Sequence, residues 1–295
     1  MHELIERVTR IRATRPSAVA EALARRKRRP LLGESGTLLL VAADHTGRGI
    51  VKAGSDPTAL ADRGELLSRL MVALSRPGVD GVLATPDVVD ELAVLGALDG
   101  KVVFGSMNRG GLAGSTFELD DRFTAYTVDA VSNGLDGGKM MIRIADDDPG
   151  TLSTMVACAA AIDGLAARHL PVMLEIFASH RGPDGKVANL MTPAAMMRAI
   201  GIVAALGSTS AYTWLKLPVL DDMERVLSAT TLPALLLGGD PGDDAPRVFA
   251  RWAAAMELPQ VRGLVVGRAL LYPPDGDVAA AVDRAADIVA KKVSV

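Results

Sequence analysis

The chain is poor in the residues from which many functional sites are built. Cys158 is its only cysteine, which excludes an internal disulfide and any cysteine-rich metal site and suits a reducing, cytoplasmic setting. Histidine is almost as scarce. His2 is terminal, His169 precedes a strand at its N-terminal end, and His45 and His180 share no ligand spacing. A metal centre therefore lacks its ligand set, and no metal is expected. No charge of one sign dominates: the formal net charge is −3, too small to select nucleic acid as a partner. Apolar runs are broken by charge, Gly or Pro before the roughly 20 residues that span a bilayer. The opening MHELIERVTRIRATRPSAV lacks the apolar centre of a secretory signal. These absences lead to the expectation of a soluble, cytoplasmic protein with neither membrane nor nucleic acid as partner. ARRKRRP at 24–30 is a local basic cluster, read as the solvated end of an N-terminal helix.

What the chain does have is 49% hydrophobic residues over 295 positions, enough for a large core. From residue 37 onward, short β-rich runs alternate with longer helical stretches. TLLLVAAD (37–44), DGVLAT (80–85), KVVFGSMN (101–108) and GGKMMIRIA (137–145) read as the first four strands. LPVMLEIFA (170–178), AYTWLKLP (211–218), PALLLGG (233–239) and VRGLVVG (261–267) read as the last four. Asp56-Pro57, Asp148-Pro149 and Thr192-Pro193 are read as helix starts, and a last helix is expected from about Asp277 to Lys291. Such alternation predicts parallel pairing and closure as a (β/α)₈ barrel over 36–295 as one domain, with 1–35 a helical extension. The open, doubly wound alternative lacks its fingerprint, because DHTGRG after the first strand is not GxGxxG.

In a barrel of this kind the strands' C-terminal ends carry the chemistry, and alternation along each strand selects the inward side chains. Asp44 shares a face with Leu40 and Ala42; Lys139 and Arg143 share one with Met141; Glu175 lies with Met173 and Phe177; Lys216 lies with Tyr212 and Trp214. Asp44, Lys139, Arg143, Glu175 and Lys216 are too many charges for an interior that only packs. LLLGGDPG (235–242) and VVGRALLY (265–272) end their strands in glycine before a helix, so Gly238, Gly239, Gly267 and Arg268 form a candidate phosphate site. Two long loops, MNRGGLAGSTFELDDRF (107–123) and SHRGPDGKVANLM (179–191), border the mouth, and Asn108 or Arg109 is within reach of the site.

A buried lysine invites a chemical explanation. The free side chain, with a pKa near 10.4, is neutral about once in 2,500 molecules at pH 7. Desolvation and the neighbouring cations Lys139 and Arg143 raise that fraction, allowing Lys216 to attack a carbonyl and form a Schiff base. Glu175 is then suited to move protons during carbinolamine dehydration and C–C cleavage. Three other readings stay open: a metal-dependent aldolase, another Schiff-base enzyme such as a transaldolase or dehydratase, and a non-catalytic phosphosugar-binding barrel.

The segments AADHTGRG, GGKMMIRIADDD, PVMLEIFA, TWLKLPV, LLLGGDPG and GLVVGRALLY, spread over residues 41–272, resemble the class I tagatose 1,6-bisphosphate aldolase group. That group belongs with archaeal-type fructose-bisphosphate aldolases and, more distantly, deoxyribose-phosphate aldolase. The resemblance implies Lys216 as the Schiff-base lysine, with Glu175 and Lys139 as acid/base and electrostatic groups. It implies Asp44 on substrate hydroxyls and Gly239, Gly267 and Arg268 on a phosphate. It also implies a phosphorylated sugar or sugar acid as substrate, no cofactor, and a possible homo-oligomer. The sequence departs from the group at Arg143, where relatives place a tyrosine, and an arginine there suits a carboxylate or second anion.

Overall fold

A computed structural model describes residues 2–108, 111–239 and 245–291. Two N-terminal helices, α1 (His2–Thr14) and α2 (Ser17–Arg25), precede the first strand, β1 (Leu38–Ala43). The chain then runs through α3 (Arg63–Ser75), β2 (Gly81–Ala84), α4 (Pro86–Val94), β3 (Val102–Ser106), α5 (Val128–Ser132), β4 (Gly137–Ile144), α6 (Pro149–Ala166) and β5 (Val172–Arg181). It continues with β6 (Val187–Asn189), α7 (Pro193–Ala204), β7 (Thr213–Pro218), α8 (Met223–Leu227), β8 (Ala234–Leu237), α9 (Ala245–Met256), β9 (Val261–Val266), α10 (Arg268–Leu271) and α11 (Val278–Lys291).

All strands but β6 pair in parallel, β1 joining β2 on one side and β9 on the other, and the β4–β5 pairing closes the ring. The result is the (β/α)₈ barrel expected from the alternation. Parity holds along the strands. Leu38, Leu40, Ala42, Leu83, Val102, Phe104, Met173, Leu235 and Val265 fill the barrel interior, whereas Leu39, Val41, Ala43, Ile142, Leu174 and Leu217 meet the surrounding helices. Leu31 and Leu32, from the segment before β1, pack against the inner cluster.

Helix starts follow their caps. Asp148 and Thr192 cap α6 and α7 through their side chains, each with proline at the first turn. Asp56-Pro57 does not start a helix. Its carboxylate turns back on the Thr58 N–H at 2.8 Å, and α3 begins later, at the Asp62-x-x-Glu65 cap. The segment 179–191 is also more ordered than a loop: β5 continues to Arg181 and β6 returns antiparallel to it.

The basic cluster at 24–30 is not merely a solvated helix end. Arg26 is buried, bonds the carbonyls of Lys101 and Gly134 and pairs with Asp136 at 2.9 Å; Arg28 also pairs with Asp136, and Arg29 with Asp80 at 2.5 Å. Asp80 and Asp136 immediately precede β2 and β4, so these arginines fasten the N-terminal segment across the lower end of the barrel. One helix departs from the expected shortness of apolar runs. By length and composition α6 is long and apolar enough to cross a membrane, because Ala, Leu, Met, Val and Ile dominate it and Asp163 is its only charged residue. Here it packs on the barrel, with Cys158, Ile162 and Leu165 buried.

Candidate active site

The strand ends place four charged side chains in a continuous file. Lys216 on β7 stands opposite Glu175 on β5 in the strand register, and their Nζ and Oε1 atoms are 2.9 Å apart. The other oxygen of Glu175 meets Lys139 Nζ from β4, and Lys139 in turn lies 3.0 Å from Asp44 Oδ2 just beyond β1. Lys139 starts one layer lower, level with Met173, so its long side chain climbs to reach Glu175. Asp44, Lys139, Glu175 and Lys216 are all buried. Alone, each charge would carry a heavy desolvation cost; in file their signs alternate and the sum is zero.

Above this file lies a cavity of about 460 Å³. Asp44, Glu175, Lys216, Arg143, Gly238, Gly239, Gly267 and Arg268 all line it. Lys139 is fully enclosed and does not line the cavity, but it contacts Asp44 and Glu175, which do. Gly267 is glycine for lack of room: a Cβ there would fall 2.4 Å from the Ala42 carbonyl oxygen and 2.5 Å from His45 Cε1. Gly239 is glycine for its backbone, at φ +69°. The rest of that turn, from Asp240, and Arg109 in the earlier loop lie outside the described residues.

Asn108 is not brought to the cavity wall. Its side chain accepts from the Met141 N–H at 2.7 Å and donates to the Met141 carbonyl at 2.6 Å, so it is spent holding β4. Arg143 does line the cavity, but it is already paired, its Nε lying 2.9 Å from Asp121 Oδ2 and its Nη1 3.4 Å from Glu118 Oε1.

Four residues at the site were not anticipated. Arg48 is buried beside Arg143, 3.4 Å from Asp121 and 3.6 Å from Glu118. Burial, then repulsion by Arg143, lowers its pKa. Glu118 and Asp121 come from the loop after β3, where no periodicity distinguishes them from Asp120. His45 lines the cavity because a single 3-10 turn at Thr46–Arg48 begins directly behind it. Its shielded Nδ1 has no partner among the described residues. Burial above all, reinforced by Arg268 and Lys216, pushes its pKa down to about 3, so the ring is neutral at physiological pH. The motif DHTGRG holds Asp44, His45 and Arg48 together, and that clustering was the available signal for the latter two. Among the described residues no group of His, Cys, Asp and Glu has the arrangement of a metal site.

The Cgl0159-like family model matches residues 36–286. The chain is similar to the crystal structure of Cgl0159 from Corynebacterium glutamicum, with 53% identity, a TM-score of 0.95, and coverage of 99% of this chain and 98% of that one. At 19% identity and a TM-score of 0.66, it shares its fold with a Schiff-base-forming fructose-1,6-bisphosphate aldolase, over 92% of this chain and 99% of that one. At 18% identity and the same TM-score and coverage, it matches an archaeal fructose-1,6-bisphosphate aldolase whose catalytic lysine is covalently bound to the carbinolamine intermediate. Among curated proteins, none matches this chain.

Proposed function

From a chain that belongs to the Cgl0159-like family, we infer a class I, metal-independent aldolase that makes or breaks a C–C bond through a Schiff base on Lys216. One observation carries this reading: the alternating file Asp44–Lys139–Glu175–Lys216 lies at the cavity floor with the lysine nucleophile at its open end. The fold it sits in is shared with aldolases that form Schiff bases, which supports the assignment.

The chemistry follows from the file. Proton transfer from Lys216 Nζ to Glu175 along their 2.9 Å contact leaves a neutral amine and a carboxylic acid side by side. The amine adds to the substrate's ketone or aldehyde carbonyl to give a carbinolamine. Glu175 returns the proton to the departing hydroxyl, which leaves as water as the iminium forms. In the cleavage direction a base removes the proton of the hydroxyl two carbons from the iminium carbon. The C–C electron pair moves into the iminium, releasing an aldehyde and leaving an enamine. Protonation at carbon and hydrolysis then free the second carbonyl product and regenerate Lys216. Lys139 stays cationic throughout, keeping Asp44 and Glu175 from facing each other as uncompensated carboxylates.

The substrate is a phosphorylated sugar or sugar acid. Gly238, Gly239, Gly267 and Arg268 hold the phosphate, Asp44 orients hydroxyls and Arg143 meets a second anionic group. The test is borohydride trapping with dihydroxyacetone phosphate, fructose 1,6-bisphosphate, deoxyribose 5-phosphate and keto-acid phosphates, read by peptide mass. An adduct on Lys216 with one or two of these supports the reading. No adduct with any of them, on folded protein, overturns it in favour of a phosphosugar-binding barrel.

A further inference from the structure

The two arginines beside the cavity are held unequally. Asp121 is fully buried and grips Arg143 Nε at 2.9 Å, a normal length for a charge-assisted bond. Glu118 shares the same pair of guanidiniums but only from 3.4 Å on Arg143 and 3.6 Å on Arg48. The first is a long hydrogen bond and the second Coulomb attraction alone, both weaker than the Asp121 contact. Its carboxylate also lines the cavity, with the side chain 16% exposed, whereas that of Asp121 is not exposed at all. Meanwhile, among the described residues, Arg48 Nε and Arg143 Nη2 are buried without a hydrogen-bond partner. The arginine pair thus has donor capacity that Glu118 does not use, and Glu118 is the anion with a way out.

We propose that Arg48 and Arg143 form a carboxylate subsite that Glu118 occupies when the cavity is empty, and that a substrate carboxylate takes its place. The exchange is cheap in the terms that usually oppose it. Both guanidiniums are already desolvated, so the incoming carboxylate bears only its own dehydration, and Glu118 regains water as it leaves. The local charge is the same before and after. A planar carboxylate from the ligand can approach the guanidinium fork at about 2.8 Å, which Glu118 does not reach from its loop. Position supplies the rest. Arg143 is on β4 and Gly267–Arg268 follow β9, four strands around an eight-membered ring, with Lys216 and Glu175 on the strands between. Resting on the aldolase reading for the placement of its carbonyl at Lys216, the ligand is an acidic sugar phosphate with a carboxylate at one end and phosphate at the other.

Calorimetric titration of the full chain tests the exchange with D-glycerate, its carboxylate-free analogue glycerol, and inorganic phosphate. Glu118→Gln removes the competing charge and keeps an oxygen acceptor for the Gly114 N–H, which Glu118 holds at 2.8 Å. D-glycerate should bind about tenfold more tightly to Glu118→Gln than to the unaltered chain, phosphate should change by less than about twofold, and glycerol should bind neither. Equal or weaker glycerate binding by the variant overturns the proposal, as does an equal gain for phosphate. A measurement on the unaltered chain guards against a variant that misfolds. D-glycerate should speed amide hydrogen exchange in residues 111–121 as Glu118 lets go, and slower or unchanged exchange there counts against it. Neither readout involves an imine, so failed borohydride trapping would remove the aldolase reading and leave this result intact.

Discussion

Lys139→Met is the substitution that puts the charged file under most stress. It keeps the length of the side chain and deletes the ammonium that lies 3.0 Å from Asp44 and also meets Glu175. Glu175 keeps Lys216 at 2.9 Å, but the file goes from balanced to one excess negative charge inside the barrel. Removing one partner of a buried pair costs about 3–5 kcal/mol, against about 0.2–1 kcal/mol for an exposed one. The contrast is available within the same chain. Arg122 pairs with Asp120 at 2.9 Å with its side chain 76% exposed, so Arg122→Met should cost no more than about 1 kcal/mol. In urea unfolding, Lys139→Met should lose about 3–5 kcal/mol, which corresponds to a fall in Tm on the order of 10 °C. Adding Asp44→Asn restores the charge balance and should recover a substantial part of the loss. A loss under about 1 kcal/mol for Lys139→Met, or a double variant less stable than the single one, would refute the view that this lysine neutralises the file.

Two further perturbations separate structure from site. Asn108→Ala strands the buried Met141 N–H and carbonyl that Asn108 bonds at 2.7 and 2.6 Å, at about 1–3 kcal/mol for each unsatisfied group. Denaturant unfolding should show that loss, whereas unchanged stability with a raised KM would restore Asn108 to the role of a substrate contact. His45 should stay neutral in an NMR titration down to about pH 3, because its pKa of about 3 lies below the ordinary 6.5. Between those values the unfolded chain binds a proton that the folded chain refuses, so this residue's contribution makes stability fall as pH drops from about 6.5 to 3. His45→Asn should flatten that part of the stability profile, and a profile identical to the unaltered chain would count against the burial of the ring as the cause.

Sequence made the barrel legible because its signals are periodic. Runs such as LLLVAA and GGKMMIRI are bounded by turns and alternate with helices whose caps, Asp148-Pro149 and Thr192-Pro193, can be read directly. Where period and cap gave out, the reading drifted. Asp56-Pro57 has the composition of a helix start and folds as a turn, since the Asp56 carboxylate bonds within three residues. Arg26 resembles its exposed neighbours Arg25 and Lys27, yet it is buried by partners, Asp136 and the Gly134 carbonyl, more than 100 residues away. Glu118 and Asp121 have the same difficulty. In FELDD nothing local separates the residue that enters the barrel mouth from those that stay in solvent, because the partners that choose them are Arg48 and Arg143.

The file of charges was legible for a stronger reason than alternation alone. On β4, β5 and β7 the residues flanking Lys139, Glu175 and Lys216 on the opposite face are apolar: Met140 and Ile142, Leu174 and Ile176, Leu215 and Leu217 all pack against the helices. A slip of one residue in any of these strands would trade the two faces, driving a charge into the helix layer and an aliphatic side chain toward the cavity. The cost of that error fixes the direction of each charge from sequence. What it cannot fix is height, and height decides the chemistry. Below the file, Leu38, Leu40, Val102, Phe104, Met173 and Leu235 make a dry floor that Leu31 and Leu32 pack against. On that floor Lys139 has no water to fall back on and must be answered by Asp44 and Glu175. One layer higher, Lys216 meets the same carboxylate but borders open space. The two lysines are alike in sequence and differ in their access to a ligand, which is why the proposed function gives Lys139 the balancing of charge and Lys216 the imine.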